Sequence, residues 1–397
     1  MGDSTMTRRA GTLSPYSPER LGPPKDRQGH AEGAIPGLPA GTEVFSADNH
    51  ISLSEDIFYE RAPGPMKERV PRVLQSDGAW TLAIGDKQLL PKEFTGVLQQ
   101  YDPLPGSSTG ELDIRLSQLE ADGVTRELAF PNALIALMYF PDTELRELCF
   151  RIYNEHVAEL QERSGGRFFG VGLINFWEAD GARRTLGELG SLGIRTFLLP
   201  LKAGNGADGK PIDYNSAAMA AVWEAIEESG IPVAHHIGEA PLSAPCESNM
   251  YAVSMVHNAA SFREMFGRYV STGLLDRHPG LRVGWFEGGI NWVPAAIQDA
   301  QHMHQSFRHM LDTDLEHDAQ YYWDHHMYAA FMLDPLGLDL VERIGTDRVM
   351  WSTDFPHNES TFGYSEQSLA AVVEAVGPEP AARIVSGNVL DFLGLPH

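Results

Sequence analysis

A chain of 397 residues, 43% of them hydrophobic, can bury a sizeable core, either as one large α/β barrel or as two ordinary domains. A net charge of −24 and a pI near 4.9 argue against nucleic acid or an anionic membrane as partner, but a local pocket can still oppose that field for a small anionic substrate. Two cysteines, Cys149 and Cys246, make neither a disulfide framework nor a thiolate metal cluster and suit a reducing cytoplasm, the expected location. No run reaches the apolar length of a membrane span, and no apolar stretch follows Arg8-Arg9 as a secretory signal requires.

Residues 1–42, rich in Pro, Gly, Ser and charge, read as a mobile tail or an arm. The ordered domain is expected over 43–397, starting with a short strand that ends Asp48-Asn49-His50. Residues two apart in a strand share a face, so Asp48 and His50 point to one site. Residues 51–110 show no clean period, and a connection of this length is expected to serve as a lid or an oligomer contact.

From residue 111 the chain alternates. Helical patterns over 111–121, 142–163, 179–192, 214–228, 259–275, 292–310, 336–344, 365–376 and 381–393 are interleaved with apolar strands. Those strands lie at 127–132, 168–173, 196–199, 231–236, 281–287, 327–331 and 348–354. Counted from Val44 there are eight strands. Regular alternation predicts a parallel sheet with helical crossovers, closed as a distorted (β/α)8 TIM barrel with a long insertion after the first strand. A doubly wound open sheet would usually show a Gly-rich phosphate loop after its first strand, and none is present.

A closed barrel gathers the C-terminal ends of its strands around one mouth. Four of those ends carry groups suited to a metal or to proton transfer. They are Asp48-x-His50, His235-His236, Glu287-Gly288-Gly289 and Asp354-x-x-His357. Singly each has an ordinary explanation, such as a packed histidine, a capping aspartate or a glycine turn. Their coincidence favours a Zn²⁺, Mn²⁺ or Fe²⁺ site with a position left for water or substrate. His302, His304 and His309 fall well into a helix, away from the mouth, and are expected to face solvent or a partner subunit.

The order and spacing of several blocks carry a family resemblance. They include Ser46-Ala47-Asp48-Asn49-His50, Phe130-Pro131-Asn132, Tyr153-Asn154 and Gly165-Gly166-Arg167-Phe168. They continue through Ile231-Pro232-Val233-Ala234-His235-His236-Ile237-Gly238, Asp276-Arg277-His278-Pro279-Gly280, Glu287-Gly288-Gly289-Ile290-Asn291-Trp292 and Ser352-Thr353-Asp354-Phe355-Pro356-His357. From about residue 44 to 393 the chain resembles the amidohydrolase-related metal-dependent hydrolases. The branch is the one that includes aminocarboxymuconate semialdehyde decarboxylase and related aromatic-acid decarboxylases.

The resemblance implies one divalent metal, zinc first, with manganese, iron or magnesium as alternatives. It implies the ligands Asp48, His50, His236 and Asp354. It prefers His236 to His235 because the family block closes His-Ile-Gly, and strand alternation agrees that only one of the two faces inward. It also implies a homodimer or higher homo-oligomer. Asn132, His235, His257 and Trp292 are expected to line the substrate pocket.

The chain departs from that branch at Glu287, where those enzymes often carry a histidine before Gly-Gly, and at Asp48, where they often carry His or Glu. The expected activity is therefore hydrolysis of a small carbonyl-containing substrate by a metal-activated water, with Glu287 or Asp354 taking its proton. His357 would orient Asp354 or touch the substrate. The alternative is non-oxidative decarboxylation of an aromatic or enoic acid, and the second alternative is a binding barrel without catalysis.

Overall fold

In the computed structural model, residues 37–397 are described apart from 55, 77–78, 85–86, 89–110, 133–136, 239–252, 254–255, 257–258 and 358. His257 and most of the N-terminal tail lie outside the described residues. The first strand, β1 (Phe45–Ile51), pairs in parallel with β5 (Arg126–Pro131), which pairs with β6 (Phe168–Gly170). After Val171 the chain enters a second run of parallel strands. These are β7 (Gly172–Leu173), β8 (Phe197–Leu198), β9 (Val233–His236), β10 (Val283–Phe286), β11 (Met327–Phe331) and β12 (Val349–Trp351), each beside the next. With β6 and β7 counted as one interrupted strand, these are the eight expected strands.

The ends of this ring meet at β1 and β12. The Asp354 amide donates to the Asp48 carbonyl at 2.8 Å, and the His50 amide to the Phe355 carbonyl at 2.7 Å. The fold is a distorted (β/α)8 barrel. Strands β9 to β12 are buried at every position, as a parallel sheet covered by helices requires. The helix Ala179–Ser191 buries one stripe, Ala182, Leu186 and Leu189, at helical spacing. The helix Thr143–Arg163 starts at Asp142, whose carboxylate accepts from the Leu145 amide at 3.1 Å. The helix Ala220–Ser229 stops at Gly230, which takes the left-handed conformation.

Three features differ from the sequence expectation. The insertion after β1 is not irregular throughout. It holds a short helix, Ile57–Arg61, and a small antiparallel sheet of β2 (Arg72–Ser76), β3 (Ala79–Ile84) and β4 (Lys87–Gln88). Along β3 Trp80, Leu82 and Ile84 do alternate with smaller residues, but as a single run in a stretch that otherwise lacks a period. A helix, Ala319–His326, precedes β11 where none was expected, and it takes up His325 and His326. The last helical stretch is broken into Pro378–Ala382, a π turn over Arg383–Gly387, and Asn388–Leu393. Among the described residues no helix is long and apolar enough to cross a membrane.

The turn after the helix Leu112–Ala121 carries a buried carboxyl, Asp122. It accepts from the Gly363 amide at 3.0 Å and from the Ser365 hydroxyl. Burial pushes its pKa from 3.8 up to about 7, against those hydrogen bonds. A carboxyl raised on folding stabilises most below its unfolded pKa, and that contribution is lost as pH rises through about 7. The loss is on the order of 4 kcal/mol at 1.36 kcal/mol per unit. Asp122→Asn is therefore expected to gain stability relative to wild type between pH 4 and pH 8, measured by denaturant unfolding at both pH values. A pH-independent difference between the two proteins would refute it.

Candidate metal centre

Each side chain of the site is delivered by the end of a barrel strand. Asp48 and His50 alternate on β1 and both turn inward. His236 is the last residue of β9, and Glu287 follows β10 directly. Asp354 lies three residues beyond β12, and His357 sits in the turn after it. Glu287 has φ 65° and Asp354 φ 60°, a left-handed conformation that favours glycine. No other described non-glycine residue has positive φ. Backbone conformations of this kind cost roughly 1–3 kcal/mol each and cluster at functional sites.

The side chains converge closely. His50 Nε2 lies 3.0 Å from Asp354 Oδ1, 3.1 Å from Glu287 Oε2 and 3.7 Å from Asp48 Oδ1. His236 Nε2 lies 2.9 Å from Glu287 Oε2 and 3.5 Å from Asp48 Oδ1. His357 Nδ1 lies 3.2 Å from Asp354 Oδ1 and 3.9 Å from Glu287 Oε2, and its ring stacks on His50 at 3.8 Å between centroids. Phe130, on β5, packs against His236 at 4.7 Å.

Charge in this cluster is strongly perturbed. Burial, followed by His357, lowers His50 to about 4, so its ring is neutral at ordinary pH. Burial raises the carboxyl of Asp48, and it raises Asp354 to about 6. Burial would also raise Glu287, but His236 beside it, with His50 and His357, holds it well below the usual carboxylate range. Burial disfavours charge on His236 and His357. Carboxylates outweigh it in both, Glu287 and Asp48 raising the first and Asp354 taking the second to about 10.

The unsatisfied atoms of the donor set fit a metal. Both carboxylate oxygens of Asp48, both of Asp354, and His236 Nε2 are buried without a hydrogen-bond partner. Buried polar atoms normally find partners, so this many orphans at one point call for a cation. Asp48, His50, His236 and Glu287 bring one donor atom each to within 4.8 Å of one another, and so do His50, Glu287, Asp354 and His357. Three carboxylates among imidazoles fit a divalent ion of the zinc or manganese kind.

Asp48, His50, His236, Glu287, Asp354 and His357 are thus brought together. The structure puts Glu287 among the possible metal donors as well as in reach of proton transfer. Asn132 is buried beside the β1 end, where its Nδ2 donates to Ser52 Oγ at 3.2 Å. His235 and Trp292 are not brought to the cluster, a correction to their expected place in the pocket. His235 lies 2.7 Å from the Leu199 carbonyl and 3.0 Å from the Tyr269 hydroxyl, and it stacks on Trp285. Alternation puts it on the outer face of β9, opposite His236. Trp292 packs on Trp285, Phe262 and Phe266 in the same outer layer. Glu359 was missed by sequence reasoning. Burial, then the charges of Asp354 and Glu287, raise its carboxyl to about 7, which places it near the mouth. It lies beyond the last strand in a loop with no period to flag it.

Comparison with known proteins follows the same line. Residues 114–395 match a family described as amidohydrolase. A gamma-resorcylate decarboxylase from Rhodococcus jostii (strain RHA1) is 23% identical over 290 residues, covering 69% of this chain and 86% of the relative. An amidohydrolase structure from Mycobacterium avium subsp. paratuberculosis K-10 superposes with a TM-score of 0.67 at 17% identity, over 90% of this chain and 99% of that one. The 5-carboxyvanillate decarboxylase of Novosphingobium aromaticivorans, complexed with manganese and 4-hydroxy-3-methoxy-5-nitrobenzoic acid, superposes with a TM-score of 0.65 at 14% identity. That match covers 89% of this chain and 97% of that one. At such identities the superpositions show the fold.

Proposed function

The chain belongs to the amidohydrolase family, and from that premise we propose that it is a metal-dependent, non-oxidative decarboxylase of an aromatic carboxylic acid. The relation to the Rhodococcus decarboxylase carries this reading. It reverses the order expected from sequence, in which hydrolysis came first. Membership of this family also sets aside the second alternative, a barrel without catalysis.

Asp48, His50, His236 and Asp354 would hold the ion. When bound, a divalent ion supplies Lewis acidity and a fixed positive charge for a substrate carboxylate and a neighbouring oxygen. Manganese is the first choice because carboxylate-rich sets suit it and the Novosphingobium structure contains it.

The remaining chemistry belongs to the protein. Decarboxylation needs one proton delivered to the ring carbon. The bond to the carboxylate carbon then breaks, its electron pair returns to the ring, and CO₂ leaves. His357 is suited to give that proton from Nε2, which is buried and unpartnered, while Nδ1 faces Asp354. Asp354, 3.2 Å from Nδ1, favours the protonated ring. Glu287 is suited to take a proton from a ring hydroxyl and to steady His236.

The test is CO₂ release from a panel of hydroxybenzoic acids, including 2,6-dihydroxybenzoate. Stripping the metal with a chelator is expected to abolish release and added Mn²⁺ to restore it. Hydrolysis has one specific observation in its favour, the glutamate in place of a histidine at 287. No CO₂ from the panel, together with metal-dependent opening of an amide, ester or lactone, would establish that second reading instead.

A further inference from the structure

Asn49 lies between two donors of the cluster, Asp48 and His50, but is buried on the other side of β1. The pairing of β1 with β5 shifts register between Ser46 and Asn49. There the amide of Asn49 joins three strands. Its Oδ1 accepts from the Thr353 hydroxyl at 2.5 Å and the Phe355 amide at 3.0 Å, and it lies 2.9 Å from the Ser46 hydroxyl. Its Nδ2 donates to Glu127 Oε2 at 2.7 Å. Glu127, on β5, is gripped by Arg115 through Nε at 2.7 Å and a terminal nitrogen at 2.6 Å, and the Arg115 guanidinium lies over the Phe355 ring at 5.2 Å. Asn49, Glu127, Arg115, Ser46 and Thr353 are all fully buried.

We propose that Asn49 is a positioning residue for the metal site, fixing Asp48 and His50 on the first strand against Asp354 on the last through one side-chain amide anchored on the Glu127–Arg115 pair. The proposal rests on the metal reading. The chemistry is specific to an amide, because the site needs an acceptor toward the residues flanking Asp354 and a donor toward a carboxylate. An aspartate cannot donate to Glu127, and a leucine can do neither. Groups that orient metal ligands typically alter affinity 10- to 100-fold when changed.

The experiment is Mn²⁺ titration of the metal-stripped full chain against a fluorescent chelator, with the melting temperature of each metal-free protein recorded. Asn49→Asp sets a carboxylate against Glu127 and is expected to weaken Mn²⁺ binding about 10- to 100-fold. Thr353→Val, a milder change that keeps the Arg115–Glu127 pair, is expected to weaken binding about three- to tenfold, and Thr353→Ser to leave it unchanged. Lowered melting temperatures with wild-type affinity in both Asn49→Asp and Thr353→Val would show a purely structural role and overturn the proposal. A wild-type chain that binds no Mn²⁺ overturns the metal reading, and this proposal with it.

Discussion

Asp354→Asn is expected to lower kcat/KM by roughly 10³-fold, the scale of losing a major electrostatic element of a site, and to leave less than about a tenth of an equivalent of metal bound. The substitution is unusually clean. Asparagine has nearly the same shape as aspartate and is among the few residues that tolerate positive φ, so the backbone at φ 60° survives. What changes is one charge on a buried side chain whose Oδ1 lies 3.0 Å from His50 Nε2 and 3.2 Å from His357 Nδ1. Burial raises the carboxyl to about 6, so its ionised form is a burden on the metal-free fold. The metal-free variant loses that burden together with the partner that raises His357, so the two metal-free proteins should melt within a few degrees of each other. Metal analysis and calorimetry check both halves. Normal metal content in Asp354→Asn would remove this residue from the ligand set.

Glu287→Gln should reduce kcat by about 10²- to 10⁴-fold, the usual range for a proton-transfer group. Glu287 Oε2 lies within 3.1 Å of both His236 and His50, so its charge is held in place by imidazoles rather than by water. Those neighbours keep its pKa well below the usual range. The acid limb of kcat should accordingly fall at lower pH than a free glutamate would give, and the variant should lack that limb. A change in KM alone, with the pH profile unmoved, would confine Glu287 to substrate binding.

Much of this was legible because barrel strands end where the chemistry is. Asp48, His50, His236, Glu287 and Asp354 each terminate a short apolar run, and such runs are visible in a sequence. The alternation of His235 and His236 showed that only one faces inward. It could not show what covers the other, because Tyr269 and Trp285 reach His235 only through packing between helix and sheet. Trp292 was misplaced for the same reason. It opens the helix after β10 but faces Trp285 and Phe262, and helix orientation is set by tertiary contacts. The helix Ala319–His326 is too short for its apolar spacing to register, and the alternation of Trp80, Leu82 and Ile84 on β3 is a single run amid residues without a period. The brace through Asn49 was invisible because Arg115 and Glu127 look like ordinary surface charges until the fold buries them together.

The meeting of β1 with the segment after β12 also sets an order of assembly. Asn49 and Thr353 are 304 positions apart. At a synthesis rate of roughly 5–20 residues per second, β1 waits on the order of 15–60 s after leaving the ribosome before its last neighbour exists. During that time one edge of β1 has no strand to pair with, and such edges recruit other chains. The full donor set comes into being only when residue 354 emerges, so the site is completed after the other barrel strands exist and cannot serve as a nucleus for the barrel around it.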